Sequence, residues 1–554
     1  MSTIGVILSG ATTTKAACQI FESAEKNIRE GMLVIIKTTF SSRELRILAR
    51  IAKIETHNEF FEVGDIWSEA RRKNQPIPYD VARRYVICQL DLLGILPRLD
   101  DVPYPPSPGD YVYLLSNPLE VFSNLRRDEV YIFFGSLYGY SDAPIPLRIE
   151  SLPMHMAVIG VTGSGKSYTV GYLIEKLSRI EVNDGYTAIP MIIIDANGDY
   201  LDYYFAFKRG EFSTSYSEIL RFVFSKSSAS INDPDAIPIA IDLNIMEPRD
   251  LAESILEYYG SISRSELQAS AIETLIQDVK KSGFADLNPL FHDDEQFERV
   301  IIDGIERLEA HRQTKEAAKR ALRIFRNDLV KVGLIPYSQQ VATLNYPFVD
   351  ELTENRKMAI IDFSVDGATG ISLKIKQFVV AYLTRLLYNR FVAYKMGSIS
   401  TKSGYMGTRY ALFIIEEAQN YCPNLEVYPV GSNIARENLA LIATQGRKFG
   451  LGIVLVTQRP SFIDPIVFSM MNSYFIHRIA PEDINYVRRA LGGLPESIIR
   501  KLPNLETGTA VISGQILPVP FPLLVKVPRR KVEPKIGSTD VSNYLKNVLI
   551  GDFH

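Results

Sequence analysis

The sequence predicts an α/β fold: a mainly parallel sheet, preceded by a small β domain and interrupted by an all-helical insertion. Three observations predict it. Short β-branched runs separated by turn residues fill roughly the first 140 positions. From about residue 155 apolar strands alternate with amphipathic helices, the pattern of a parallel sheet with helical crossovers. Between two of those strands lies a helical block, 248–335, too long to be a loop.

The chain has 554 residues, which allows two to four domains. Lys plus Arg is 61 and Asp plus Glu is 64, a formal charge of −3. Hydrophobic residues are 46% and charged residues 23%, which excludes a disordered tail, a collagen-like chain and a histone-like polycation. That balance also argues against a basic coat for nucleic acid. Cys18, Cys88 and Cys422 lie far apart without a CxxC pair, and the six histidines show no metal-ligand spacing. No apolar run is long enough to span a bilayer and no basic-then-apolar leader opens the chain, so a cytoplasmic protein without membrane contact is expected.

In order, residues 1–145 form the β domain, with strands expected at Gly5–Leu8, Leu33–Thr38, Ile47–Ile54, Tyr85–Leu92, Tyr111–Leu115 and Val130–Phe134. This spacing suits a barrel or a sandwich. The charged stretch Ser68–Arg84 suggests a helical insertion. Pro144, Pro146 and Pro153 mark a connector. Residues 146–247 and 336–527 form the parallel-sheet core, with strands expected at His155–Gly160, Met191–Asp195, Ile239–Leu243, Met358–Phe363, Ala411–Ile415, Gly452–Thr457 and Ser473–Ile479. The insertion 248–335 contains helices Leu251–Tyr259, Ser265–Ser282 and Glu295–Val332. The polar stretch 528–554 is a C-terminal arm.

The strongest local signal is Gly160-Val-Thr-Gly-Ser-Gly-Lys-Ser167, which matches GxxxxGK[ST]. An apolar strand precedes it, and Val170, Leu173, Ile174 and Leu177 follow at helical spacing. Glycines let backbone N–H groups curl around phosphate, and a helix N-terminus adds its positive end. The cradle set is Gly160, Thr162, Gly163, Ser164, Gly165, Lys166, Ser167 and Tyr168. Lys166 would reach the β- and γ-phosphates of ATP, and Ser167 would ligate Mg²⁺.

An acid is needed at a neighbouring strand end. Ala411-Leu-Phe-Ile-Ile415 ends in Glu416-Glu417. Glu416 would hold the Mg²⁺ shell and Glu417 would polarise the attacking water. Asp195 ends another strand, either as a supporting acid behind the metal or as a turn residue stabilising Asn197-Gly198. Gln458 ends a third, and an uncharged amide suits sensing of the γ-phosphate.

This set, with Ile194-Asp-Ala-Asn-Gly-Asp-Tyr200, Glu416-Glu-Ala-Gln-Asn420, Gly446-Arg-Lys-Phe-Gly450 and Thr457-Gln-Arg-Pro-Ser461, resembles the HerA family of DNA-translocating ATPases in the HerA–FtsK group. The resemblance implies a RecA-like P-loop ATPase core behind a small β-barrel. It also implies a homo-hexamer with sites between subunits, double-stranded DNA as substrate, and a NurA-type nuclease partner in DNA end resection and repair. By the same likeness Arg447, with Lys448 second, would reach the neighbour's γ-phosphate. Ser513 and Gly514, on a strand returning beside the nucleotide, would contact it, and the C-terminal arm would cross a neighbouring subunit. Two positions depart from the family pattern: Gln419 stands where relatives usually carry His, and Met154 where they often carry Arg.

No sequence-reading DNA motif is present, which suits a motor that grips phosphates. Lys315, Lys319 and Arg323 share a helix face that either lines a channel or is solvated beside Glu306, Glu309 and Glu316. The alternatives are a DNA-pumping ATPase of conjugation or viral packaging, and a non-motor ATP-binding assembly module, which would have no use for Glu417. A ring of such chains would keep its basic charge in the bore.

Overall fold

The computed structural model describes residues 2–534 apart from 59–60, 62–63, 65–66, 77–83, 226, 228–231, 261–265, 398–408 and 430–433. Two compact units divide it. One comprises the chain through Glu150, Gly163–Gly165 and Ser473–Pro528; the other comprises Ser151–Thr162, Lys166–Asn472 and the described residues from Arg529. Among the described residues no helix is long and apolar enough to cross a membrane.

In the first unit, β1 (Thr3–Ile7), β2 (Lys15–Ile20), β3 (Leu33–Phe40), β4 (Arg43–His57), β5 (Tyr85–Ile95) and β6 (Tyr111–Leu114) close a barrel in the order β1-β2-β5-β4-β3-β6. The β1–β6 pairing removes the open edges a sandwich would leave. Val34, Ile36, Ile47, Ala49, Ile51, Leu90 and Val112 fill the interior. Strand β2 has little β-branched signature in Lys-Ala-Ala-Cys-Gln-Ile, and its alternating burial is what makes it a wall. The expected strand at 130–134 is not a barrel stave: Tyr131–Phe134 pairs with Ile145–Arg148 in a separate ribbon. Of the helical stretch expected at Ser68–Arg84, Ser68–Arg72 is a helix, and 77–83 lie outside the described residues.

The segment 473–528, expected to continue the parallel core, falls in the first unit and supplies antiparallel strands. Its strands Ser473–Ile476, Thr509–Gly514 and Leu523–Lys526 pair antiparallel in turn, and the last pairs with Ser136–Leu137. Buried Arg50 of β4 donates to the Pro522 carbonyl, and Lys501 donates to the Glu30 carbonyl. Short buried apolar runs carry no mark of strand direction, so the sequence could not separate these from parallel strands.

The second unit carries β7 (Met156–Ile159), β8 (Met191–Asp195), β9 (Ile219–Val223), β10 (Ile237–Pro238), β11 (Met358–Asp362), β12 (Ala411–Ile415) and β13 (Leu451–Thr457). They are ordered β10-β9-β11-β8-β12-β13-β7 and every pair is parallel. Strand β9 escapes a hydropathy reading because Arg221 sits mid-strand. The fold buries it against Asp362, with Nη2 2.6 Å and Nε 3.1 Å from Oδ2. The strand expected at Ile239–Leu243 does not form. The ladder covers only Ile237–Pro238; Ile239 N–H still donates to the Val223 carbonyl and Ile241 makes a lone bridge with Leu344, before Asp242 caps a short turn over Leu243–Ile245.

Helix α1 (Lys166–Leu177) follows the glycine loop and buries Val170, Leu173, Ile174 and Leu177. The insertion holds α2 (Pro248–Tyr259), α3 (Glu266–Lys281) and α4 (Arg312–Lys331). The single helix expected over Glu295–Val332 is interrupted. Phe297–Ile302 winds as a π-helix, Asp303–Arg307 returns to α, and Leu308 turns extended before α4. The basic stripe on α4 is spent locally: Lys319 pairs with Glu306 and Glu316, Arg323 is bidentate to Glu298, and Lys315 donates to the Glu306 carbonyl. Within the single chain, the stripe is therefore charge-paired. Helices α5 (Leu373–Lys395) and α6 (Ile434–Gln445) cover the sheet near β12 and β13.

Candidate functional site

Strand register assembles the site. Ile159 of β7 pairs with Thr457 of β13, Ile415 of β12 with Leu455 of β13 and Ile194 of β8, and Asp195 with Asp362. The residues just beyond these pairs (Gly160, Gln458, Glu416-Glu417 and the 196–200 turn) emerge at one edge, outside the carboxyl ends of parallel strands where ligands bind.

The glycine loop has the conformation its residues permit. Gly163 and Gly165 hold φ of +73° and +110°, left-handed values that side chains resist. Lys166 opens α1, buried, with Nζ 3.3 Å from the Val161 carbonyl. Burial lowers its pKa, opposed by the negative charges of Glu417, Glu416 and Asp199. Tyr168 is exposed.

The two acids sit in different environments. Glu416 is buried, accepts from the Tyr200 hydroxyl at 3.1 Å, and lies 3.5 Å from the Asn197 amide. Desolvation, then Asp195 and Asp199, hold its pKa well above the usual carboxylate value. Glu417 is partly exposed and stands at φ 48°, ψ 46°, a left-handed backbone that costs a non-glycine residue about 1–2 kcal/mol. Its Oε1 accepts from Gln458 Nε2 at 2.7 Å and its Oε2 from Gln419 Nε2 at 2.5 Å. Gln458 Oε1 in turn accepts from Thr162 Oγ1 of the loop at 2.5 Å. The structure therefore brings together Thr162, Lys166, Ser167, Glu416, Glu417 and Gln458.

Three contributors were not singled out from sequence. Asp199 Oδ2 accepts from Ser167 Oγ at 2.7 Å, so it shares the metal edge with Ser167. Tyr200 holds Glu416. Arg530, buried, donates to the Asp199 carbonyl at 2.9 Å and lies over the Tyr168 and Tyr203 rings. The signal for Asp199 and Tyr200 was in the Asn-Gly turn after a strand end. Arg530 carried none, being one of three consecutive cations, Arg529-Arg530-Lys531, at the start of a polar tail. Asp195 is the turn residue of the two readings: its carboxylate accepts from the backbone N–H groups of Gly198, Asp199 and Tyr200 at 2.8, 3.0 and 2.9 Å. Burial raises its pKa to about 7 despite those bonds.

Arg447 and Lys448 are exposed on the single turn Gly446–Phe449 after α6. Gly446 is required there, since a Cβ would meet the Leu451 carbonyl at 2.9 Å and Ile442 at 2.7 Å. Ser513 and Gly514 are not brought to the loop. In the first unit Thr507 Oγ1 donates to the Gly163 carbonyl and Gly508 N to the Ser164 carbonyl, at the start of that strand. Ser513 is five residues further, about 17 Å along it. The arm's described start packs on its own α1, with Val532 N donating to Glu175; residues 535–554 lie outside the described residues.

The donor set fits Mg²⁺. A serine hydroxyl and clustered carboxylates are hard oxygen ligands, and the uncompensated acids that push Glu416 upward are those a divalent cation would relieve. Among the described residues no group of three acids, histidines or cysteines could by itself hold a metal ion.

One consequence is testable without nucleotide. Burial raises the Glu416 pKa in the folded chain above its ordinary value of 4.5, so above that pH folding favours proton uptake there. Glu416→Gln is expected to match wild type in Tm below about pH 4.5 and to exceed it increasingly towards pH 8. A Tm difference independent of pH would contradict the burial argument.

The model of the helicase HerA central domain matches residues 132–387. The DNA double-strand break repair helicase HerA of Sulfurisphaera tokodaii is 27% identical over 97% of this chain and 94% of its own. The protein of the same name from Sulfolobus acidocaldarius is 26% identical over 97% and 95%. Among solved structures, the plasmid coupling protein TrwB with a non-hydrolysable ATP analogue is 15% identical over 77% of this chain and 96% of its own, at TM-score 0.49. VirB4 of Thermoanaerobacter pseudethanolicus is 12% identical over 74% and 99%, at TM-score 0.47. Over its central region and nearly end to end, the chain is thus similar to proteins named as HerA helicases.

Proposed function

We propose that this chain is an ATP-driven translocase and helicase on double-stranded DNA, working as a homo-hexameric ring with a nuclease in DNA end resection and repair. The observation that carries it is the carboxylate Glu417, held in strained backbone between two amides, one of which also bonds the phosphate loop. A module that only bound ATP would have no use for such a group. The relatives named as double-strand break repair helicases support the substrate and the pathway.

In this reading the loop's N–H groups and Lys166 bind the phosphates, and Lys166 leaves the Val161 carbonyl to reach the γ-phosphate. Ser167, Asp199 and Glu416 would hold Mg²⁺ and its waters, and the cation would supply charge neutralisation at the phosphates. Glu417 orients a water and takes its proton as the new O–P bond forms. The bond between the γ-phosphorus and the bridging oxygen breaks, and that oxygen leaves with ADP. Arg447, exposed and spent on no ion pair among those described, is the cation offered to a neighbour's γ-phosphate.

The test is ATP-driven displacement of a third strand from a DNA triplex, with particle mass measured alongside. The expected result is displacement that needs hydrolysis, by a particle of six chains. A monomer that hydrolyses ATP and leaves the triplex intact would overturn the translocase reading.

A further inference from the structure

We propose that Gln419 is a positioning residue for hydrolysis: anchored on Thr457, it fixes one oxygen of the Glu417 carboxylate while Gln458 is the partner that lets go of the other. The proposal deepens the reading above and rests on Glu417 being the base.

The direction of every hydrogen in this network follows from one group. An ionised carboxylate only accepts, so both amides must turn their NH₂ groups to Glu417. Gln419 is then left presenting Oε1, which the Thr457 hydroxyl meets at 2.7 Å. Thr457 Oγ1 accepts in return from the Arg459 backbone N–H at 3.2 Å, which leaves its own hydrogen for Gln419. Gln458 is left presenting Oε1 to the Thr162 hydroxyl.

The two amides are anchored differently. Thr457 is the last residue of β13, buried, and strand-paired on β7 through Ile159. Gln419 is itself buried, in a turn whose Asn420 carbonyl accepts from Gln377 of α5 at 2.7 Å. The far end of Gln458 rests on Thr162, an exposed residue of the loop that must wrap the phosphates. A γ-phosphate oxygen competes for the Gln458 donor and frees Oε1 of Glu417 for water. Oε2 stays on Gln419 because that arm is anchored on buried Thr457 rather than on the phosphate loop. The strained backbone at Glu417 fits this division, since the side chain is aimed by its partners as well as by its rotamer.

The experiment is steady-state ATP hydrolysis by the full chain with duplex DNA, with nucleotide binding measured separately by titration of a fluorescent ATP analogue. Gln419→Leu and the isosteric Thr457→Val are each expected to lower kcat by about 10- to 100-fold, the value of a hydrogen bond to a charge, with KM and analogue affinity unchanged. Thr457→Ser, which restores the hydroxyl, is expected to recover most of the loss. The double variant Gln419→Leu/Thr457→Val is expected to lose no more than either alone, because both break one chain of bonds. Near-wild-type kcat in Thr457→Val, equal damage in Thr457→Ser, or losses that multiply in the double variant would each overturn the proposal. A wild-type chain that does not hydrolyse ATP, or a Glu417→Gln variant that does so normally, would instead defeat the underlying reading of Glu417, whatever the Gln419 and Thr457 variants show.

Discussion

Glu417→Gln is expected to bind ATP as wild type does and to lose about 10²–10⁴-fold in turnover, the range for removing a positioned general base. The substitution keeps the shape and the contacts to Gln419 and Gln458 open to rearrangement, but an amide cannot accept the water's proton. The loss should therefore lie in kcat alone. Titration of a fluorescent ATP analogue beside steady-state turnover separates the two. Parallel loss of binding would mean that Glu417 holds the fold of the loop rather than the water.

Lys166→Ala is expected to fail earlier in the cycle. In the free chain the ammonium is buried against the Val161 carbonyl and faces Glu416, Glu417 and Asp199. Its removal leaves that acid cluster without its nearest cation as well as depriving the γ-phosphate of a charged donor. ATP affinity is expected to fall about 10- to 100-fold, and turnover at saturation by about 10²–10³-fold. The same titration and turnover assays report both, and an unchanged affinity would contradict the placement of Lys166 at the phosphates.

The site's frame was legible in sequence because each part sits where an apolar run ends in a polar residue: Ile159 before the glycine loop, Ile415 before Glu416, Thr457 before Gln458. Parallel register converts those ends into one edge. Asp199 and Arg530 were not legible, because their roles depend on a turn closed by Asp195 and on a tail folded back on α1. The pairing of Glu417 with Gln419 was hidden for a related reason, as two residues two apart meet only because Glu417 takes left-handed backbone. In the fold, closure of the barrel depended on β2, whose small residues carry little strand signal, and β9 was masked by Arg221. The strands beyond 473 looked parallel because a buried strand reads the same in either direction. An overall charge of −3 would not count against DNA binding in a ring, since composition sums over surfaces that a ring would segregate.

The most direct test of the account is ATP turnover by the wild-type chain with and without duplex DNA, at constant salt. The account predicts turnover that rises several-fold with duplex DNA, salt-dependently, and vanishes in Glu417→Gln under both conditions. Turnover indifferent to DNA would contradict the claim that this site drives a motor along it.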